Sequence, residues 1–168
     1  THAYSYDENN RLVNVKTSLV KTTGENVLWE EDAAYDYYNH GPLARVKIGE
    51  RAVQGTDYAY NLQGWIKGMN SSGLSPDRDM GRDGATTGSN TSVARDVLGY
   101  ALGYHENDYF SISSQAFEMT VGSGSGLNTN SPDLYNGNIR YMVIHNKQLG
   151  GPQGYSYAYD QLHRIKRM

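Results

Sequence analysis

The run Asp77-Arg78-Asp79-Met80-Gly81-Arg82-Asp83-Gly84 comes nearest to a binding site in its residue types. Aspartates at alternate positions around a glycine turn can wrap oxygens round a hard cation, which makes Asp77, Asp79 and Asp83 a candidate calcium set. The twelfth position counted from Asp77, where an EF-hand places its bidentate glutamate, is Gly88, and Arg78 and Arg82 interrupt the run. A polar loop laced with Asp and Arg is the competing reading. No cofactor is expected, calcium at these aspartates being the one candidate weighed.

Other constellations each lack a part. Glu30-Glu31-Asp32, with Asp36 close behind, offers paired carboxylates of the kind glycoside hydrolysis uses. Nothing in the sequence fixes their separation, and charges that keep a strand edge wet explain them as well. The five histidines include no pair at i, i+4, and His105-Glu106-Asn107-Asp108 is followed by Tyr109 where a zinc motif needs a second His. Gly122-Ser123-Gly124-Ser125-Gly126 has the letters of a nucleophile elbow, but it sits in a loose Gly-Ser tract without a strand-to-helix turn. The chain therefore reads as a non-enzyme, with a carboxylate-dependent glycoside hydrolase as the remote alternative.

The elements that must position these residues are β-hairpins. Tyr-x-Tyr puts two rings on one face of a strand; four residues on stands Gly, Asn or His, and two further on Leu or Ile. The frame occurs as Tyr4, Tyr6, Asn10, Leu12; as Tyr35, Tyr37, Gly41, Leu43; as Tyr58, Tyr60, Gly64, Ile66; and as Tyr157, Tyr159, His163, Ile165. The residues between are turn formers, and Asn10 and Gly64 stand where a positive φ is expected. Alternation resumes beyond each turn, in Leu43-Ala44-Arg45-Val46-Lys47-Ile48 for example, so each frame predicts a hairpin. Successive frames begin 31, 23 and 99 residues apart, which suits a meander with connections of varied length. Leu134 to Ile144 predicts a fifth, degenerate element, with a turn at Asn136-Gly137 and a strand from Ile139.

Composition agrees. The 168 residues hold 15 Tyr and 19 Gly but only 20% charged residues and no Cys, as expected of a β-rich chain with many turns and no disulfides. With a net charge of -3 and Arg164, Lys166 and Arg167 as the only local basic group, no nucleic-acid partner is expected. No apolar run approaches the roughly 18 residues a membrane-spanning helix needs, so no membrane insertion is expected.

These hairpins resemble the YD repeats of bacterial Rhs-like proteins and of teneurins. The motifs that carry the resemblance are Tyr6-Asp7 to Leu12, Tyr60-Asn61 to Ile66 and Tyr159-Asp160 to Ile165. The phrases Leu62 to Asn70 and Leu134 to Ile139 are similar to stretches of Rhs-like proteins from Bacteroidetes-type bacteria. The resemblance implies antiparallel hairpins in a curved open sheet or a segment of a β-shell, in a secreted or cell-surface protein. It implies neighbouring repeats or further copies of the chain as partners, with a toxin or surface protein as a possible companion in a longer chain.

Residues 71–133 break the hairpin rhythm and predict a loop-rich insert lying over a single 1–168 β domain. Within it, Thr91 to Leu98 predicts one short helix, capped by Thr91 or Ser92 and ended by Gly99. Both ends of the chain read as cut from something longer. The function expected is a structural scaffold or shell segment, able to assemble into a filament through open strand edges. A carbohydrate-binding or adhesive module using exposed Tyr ladders is the alternative.

Overall fold

The computed structural model describes residues 1–19, 28–112, 117, 127 and 131–168. Nine strands form one antiparallel sheet in strict chain order. They are β1 (His2–Tyr6), β2 (Leu12–Thr17), β3 (Glu30–Tyr37), β4 (Leu43–Ile48), β5 (Gln54–Tyr60), β6 (Ile66–Met69), β7 (Leu98–Gly103), β8 (Tyr141–Asn146) and β9 (Gln153–Ser156). The sheet is open, with β1 and β9 at its edges. The last two strands, β10 (Ala158–Tyr159) and β11 (Ile165–Arg167), pair only with each other. The mainly β, open-sheet class expected from the sequence is the class observed.

The four hairpins close in the same way. Tyr6, Tyr37, Tyr60 and Tyr159 face Leu12, Leu43, Ile66 and Ile165, and the register shifts by one residue at each of these tyrosines. The next N–H, of Asp7, Tyr38, Asn61 or Asp160, donates across the turn to the carbonyl of Arg11, Pro42, Trp65 or Arg164 at 2.9–3.0 Å. Asn10, Gly41, Gly64 and His163 donate back at 2.9–3.1 Å. These four take φ of 60°, 120°, 80° and 59°, the left-handed region that Gly and Asn enter at least cost.

The residue after each second Tyr follows from the same bonds. Asp7 Oδ1 accepts the N–H groups of Asn9 and Arg11, and Asp160 Oδ1 accepts those of Leu162 and Arg164. Asn61 Oδ1 accepts the N–H of Trp65. In the second hairpin the corresponding donor is Pro42, which has no N–H, and the acceptor position is correspondingly free to be Tyr38. That tyrosine donates its hydroxyl to Tyr58 O at 2.7 Å instead.

The main apolar cluster lies on one face of β5–β9. A cross-strand row of small residues, Ala59, Gly68, Ala101, Val143 and Gly154, runs across these strands. Phe117 roofs it so closely that a methyl on Gly68 would lie 2.4 Å from the ring, and Leu127 covers Gly154 likewise at 2.5 Å. Ala59, Ala101 and Phe117 form the buried apolar cluster, with Met80 and Tyr109 against it. On the other face the Lys67 side chain is buried and pairs with Asp108 at 2.8 Å.

The span 71–133 thus contributes a strand of its own, β7, inserted between β6 and β8. The short helix expected over Thr91–Leu98 does not form. Residues 91–97 are turns and extended chain; Val93 is bonded to Asn90 O and Ala94 to Val53 O. Ala94 also makes an isolated bridge to Gln54. Two helical turns are marginal alone, and here a neighbouring strand and a buried role for Asp96 outbid them. The one helical turn described is the 3-10 turn Lys147–Leu149.

The strand expected from Ile139 begins at Tyr141, because the carbonyls of Ile139 and Arg140 serve the last hairpin instead. Ile139 O accepts the Tyr159 hydroxyl and Arg140 O the Tyr157 N–H. The tyrosines therefore do not make one continuous ladder. Tyr4 and Tyr6 are exposed, Tyr35, Tyr37, Tyr58 and Tyr60 are half-buried, and Tyr157 and Tyr159 belong to the separate last hairpin. The Gly122–Asn130 tract lies outside the described residues except for Leu127. Among the described residues no helix is long and apolar enough to cross a membrane.

Gly64→Val puts a β-branched residue at φ 80°. It is expected to cost about 1–3 kcal/mol in chemical denaturation, the usual penalty for a residue held in a sparsely populated backbone region. Leu62→Ser in the same turn, at a fully exposed position, should stay within about 0.5 kcal/mol.

Candidate functional site

Arg45 and Asp57 are register partners on β4 and β5. Alternation turns Gly55, Asp57 and Ala59 toward the covered face, where all three are buried. Arg45 is the one buried residue of β4. A guanidinium here needs carboxylate partners, since an unpaired buried charge costs several kcal/mol. Asp57 takes its Nη1, and Asp83, arriving from the loop above, takes its Nη2.

Two glycines make the approach possible. A methyl on Gly81 would sit 1.7 Å from Arg45 Nη1, and one on Gly55 2.0 Å from Nη2. The loop is tied by its own bonds. Asp79 Oδ2 accepts the Asp83 N–H at 2.8 Å, Arg82 turns at φ 55°, and Asn90 Nδ2 donates to Gly81 O at 2.7 Å. Asn70, at φ 53°, holds the floor. It exchanges bonds of 2.8 Å with the Asp57 backbone and donates its amide to Leu98 O, linking β5 to β7 past the end of β6.

Two further carboxylates close the group. Asp57, Asp79 and Asp83 bring one oxygen each to within 4.8 Å of one another, and all three are buried. Asp96, also buried, lies near enough to Asp79 for the two carboxyls to act on each other. Carboxylates can share a hydrogen bond only if one carries a proton; ionised, both are left without a donor, and Asp79 Oδ1 and Asp96 Oδ1 have none. Four buried carboxylates thus gather here, and the Arg45 guanidinium pairs with two of them, Asp57 and Asp83.

The protonation equilibria register this excess. Burial, then the charge of Asp79, pushes the Asp96 carboxyl up to about 8. Burial also raises Asp57, to about 6; Arg45 pulls it back while Asp79 and Asp83 push it further up. Asp83 is raised by burial against the pull of Arg45.

Of the three aspartates singled out in the sequence, Asp79 and Asp83 belong to this cluster and Asp77 does not; it is exposed. Arg45, Asp57 and Asp96 were not legible as members. The available signal was a charged residue at an inward position of an alternating strand, where Asp57 stands between Gly55 and Ala59.

The other candidates are dispersed. Glu30, Glu31 and Asp32 lie in β3, an interior strand and not an edge, and Glu31 and Asp32 bond across to Asn14 and Thr17. Asp36 pairs with Lys47 at 3.0 Å. His40 stacks on Tyr38 and His105 on Tyr135, His145 reaches Ser72 O, and His163 meets Asn136 and Asn138. Compared with known proteins, the chain matches no family model, and no curated protein matches it either.

Two outcomes follow from the buried charges. Arg45→Leu leaves Asp57 and Asp83 without the guanidinium that pairs with both and is expected to cost about 3–5 kcal/mol at pH 8, read by denaturant titration. In a chelating buffer, stability should fall as pH rises. The folded carboxyls at about 6 and 8 hold protons that the unfolded chain, near 4, has released. Melting temperatures at pH 5 should therefore exceed those at pH 8, and Asp96→Asn should flatten the fall between pH 6 and 8.

Proposed function

We propose that this chain is a scaffold segment of a repeat protein of the Rhs-like, YD-repeat kind, secreted or displayed at the cell surface, with no catalysis of its own. The observation that carries this reading is the wing β1–β4. It is built of regular hairpins, yet no apolar side chain of these strands is fully buried. A sheet gains its stability by burying a face, and this wing gains little from the rest of its own chain. Neighbouring hairpins of a longer protein, or further copies of the chain, would supply the missing cover.

The common closure of the four hairpins supports the same reading. It depends on bonds within each turn and can be reiterated without new tertiary contacts. The edges point the same way. β1, with sequence His-Ala-Tyr-Ser-Tyr, carries neither the Lys nor the Pro that blunts an edge strand. In a longer chain the edges would be paired by adjoining repeats, and a toxin or surface protein would be a companion. As a separate unit the chain would add strand to strand into a filament.

The exposure of Tyr4 and Tyr6 favours a second reading, an adhesive or carbohydrate-binding face. Binding to a panel of immobilised glycans that disappears in Tyr4→Ala/Tyr6→Ala would establish it over the scaffold.

Hydrogen exchange on the native particle, sized by light scattering and electron microscopy, tests the scaffold. In a lone edge strand only alternate amides are bonded, to β2, and the outward set exchanges freely. The scaffold predicts that both sets in Ala3–Asp7 exchange slowly; rapid loss from the outward set would overturn it.

A further inference from the structure

We propose that the buried aspartates over β4 and β5 form a calcium site, with Asp57, Asp79, Asp83 and Asp96 as its carboxylate ligands and Arg45 as a fixed internal counter-charge. The proposal stands on the geometry of this cluster and does not depend on the scaffold reading.

Three observations carry it. The first is the spacing. Oxygens on opposite sides of a calcium ion, each at about 2.4 Å, lie up to about 4.8 Å apart. Asp57, Asp79 and Asp83 offer one oxygen each within that span. The second is the pair of orphaned oxygens. Asp79 is 6% exposed and Asp96 5%, and Oδ1 of each has no hydrogen-bond donor. Native structures leave few buried polar atoms unpaired, and an unmodified carboxylate pair pressed together is the arrangement a cation resolves. The third is the charge. Arg45 pairs with Asp57 and Asp83, Asp79 and Asp96 add two further buried carboxylates, and a divalent cation would offset that excess of negative charge.

The donor set selects the metal. Carboxylate oxygens on a loop and one strand suit a hard cation and not zinc or copper, for which the cluster offers no nitrogen or sulfur. Magnesium holds to strict octahedral geometry and keeps its waters, whereas calcium accepts an irregular cage of carboxylates.

The site's position gives the ion its effect. Asp57 is on the sheet, Asp79 and Asp83 are in the overlying loop, and Asp96 closes the excursion just before β7. Calcium would therefore fasten the 71–97 segment to the sheet at both ends.

The test uses the intact chain, freed of metal by chelator and titrated with calcium chloride at pH 7.5 in a calorimeter. One calcium per chain is expected, with a rise of several degrees in melting temperature and slower amide exchange over residues 79–96. Magnesium chloride at the same concentration should produce a smaller shift. Asp79→Asn and Asp96→Asn, close in shape to the native side chains, should each weaken calcium binding at least about tenfold, because affinity follows ligand charge. Asp77→Asn, at the exposed neighbour in sequence, should leave it unchanged.

The proposal is overturned if millimolar calcium produces neither heat nor a melting shift. It is equally overturned if Asp77→Asn weakens binding as much as the other two. Should the variants not fold, the wild-type exchange experiment decides: unchanged rates over residues 79–96 with and without calcium would defeat it.

Discussion

A guanidinium under a loop is the constraint on which much of this molecule turns. Arg45 stands on the last strand of the bare wing, and its partners lie on the first strand of the covered half and in the covering loop. Burying it requires Asp57 across the sheet, Asp83 from above and two glycines thin enough to let backbone pass beside its nitrogens. Replacing such a group by an apolar residue with full repacking can be neutral, so what the guanidinium adds is placement more than stability. It fixes where the insert lands.

The hairpins were legible in the sequence because their determinants are local. Leu43–Ile48 and Ile66–Met69 are strands with the limits that alternation implied. The Asp or Asn after each second Tyr is explained by N–H groups within four residues of it, and the exception at Tyr38 by the proline that removes one of them. Information of this kind survives in a single sequence.

The acidic site was legible only in part, for the opposite reason. Asp79 and Asp83 are neighbours in sequence and could be paired on paper. Arg45, Asp57 and Asp96 come from three other segments, and only the register of β4 against β5 and the descent of the loop bring them together. Asp96 was further hidden by a helical pattern in Thr91–Leu98. That pattern was weak, and tertiary bonds to Val53 and Gln54 overrode it. The role of Gly68 was also invisible, since its need for a bare Cα is set by Phe117, far along the chain.

The strict chain order of the nine strands bears on how the molecule comes into being. Every strand pairs with the one made just before it. Only β6 and β7 wait long for their next partners, β7 and β8, so loop-closure entropy stays low until those two excursions settle. Such a sheet can zip progressively from its first hairpin as the polypeptide emerges from a ribosome or a translocation pore. The growing end always presents a fresh template, and the half-made product differs from the finished one in length more than in kind.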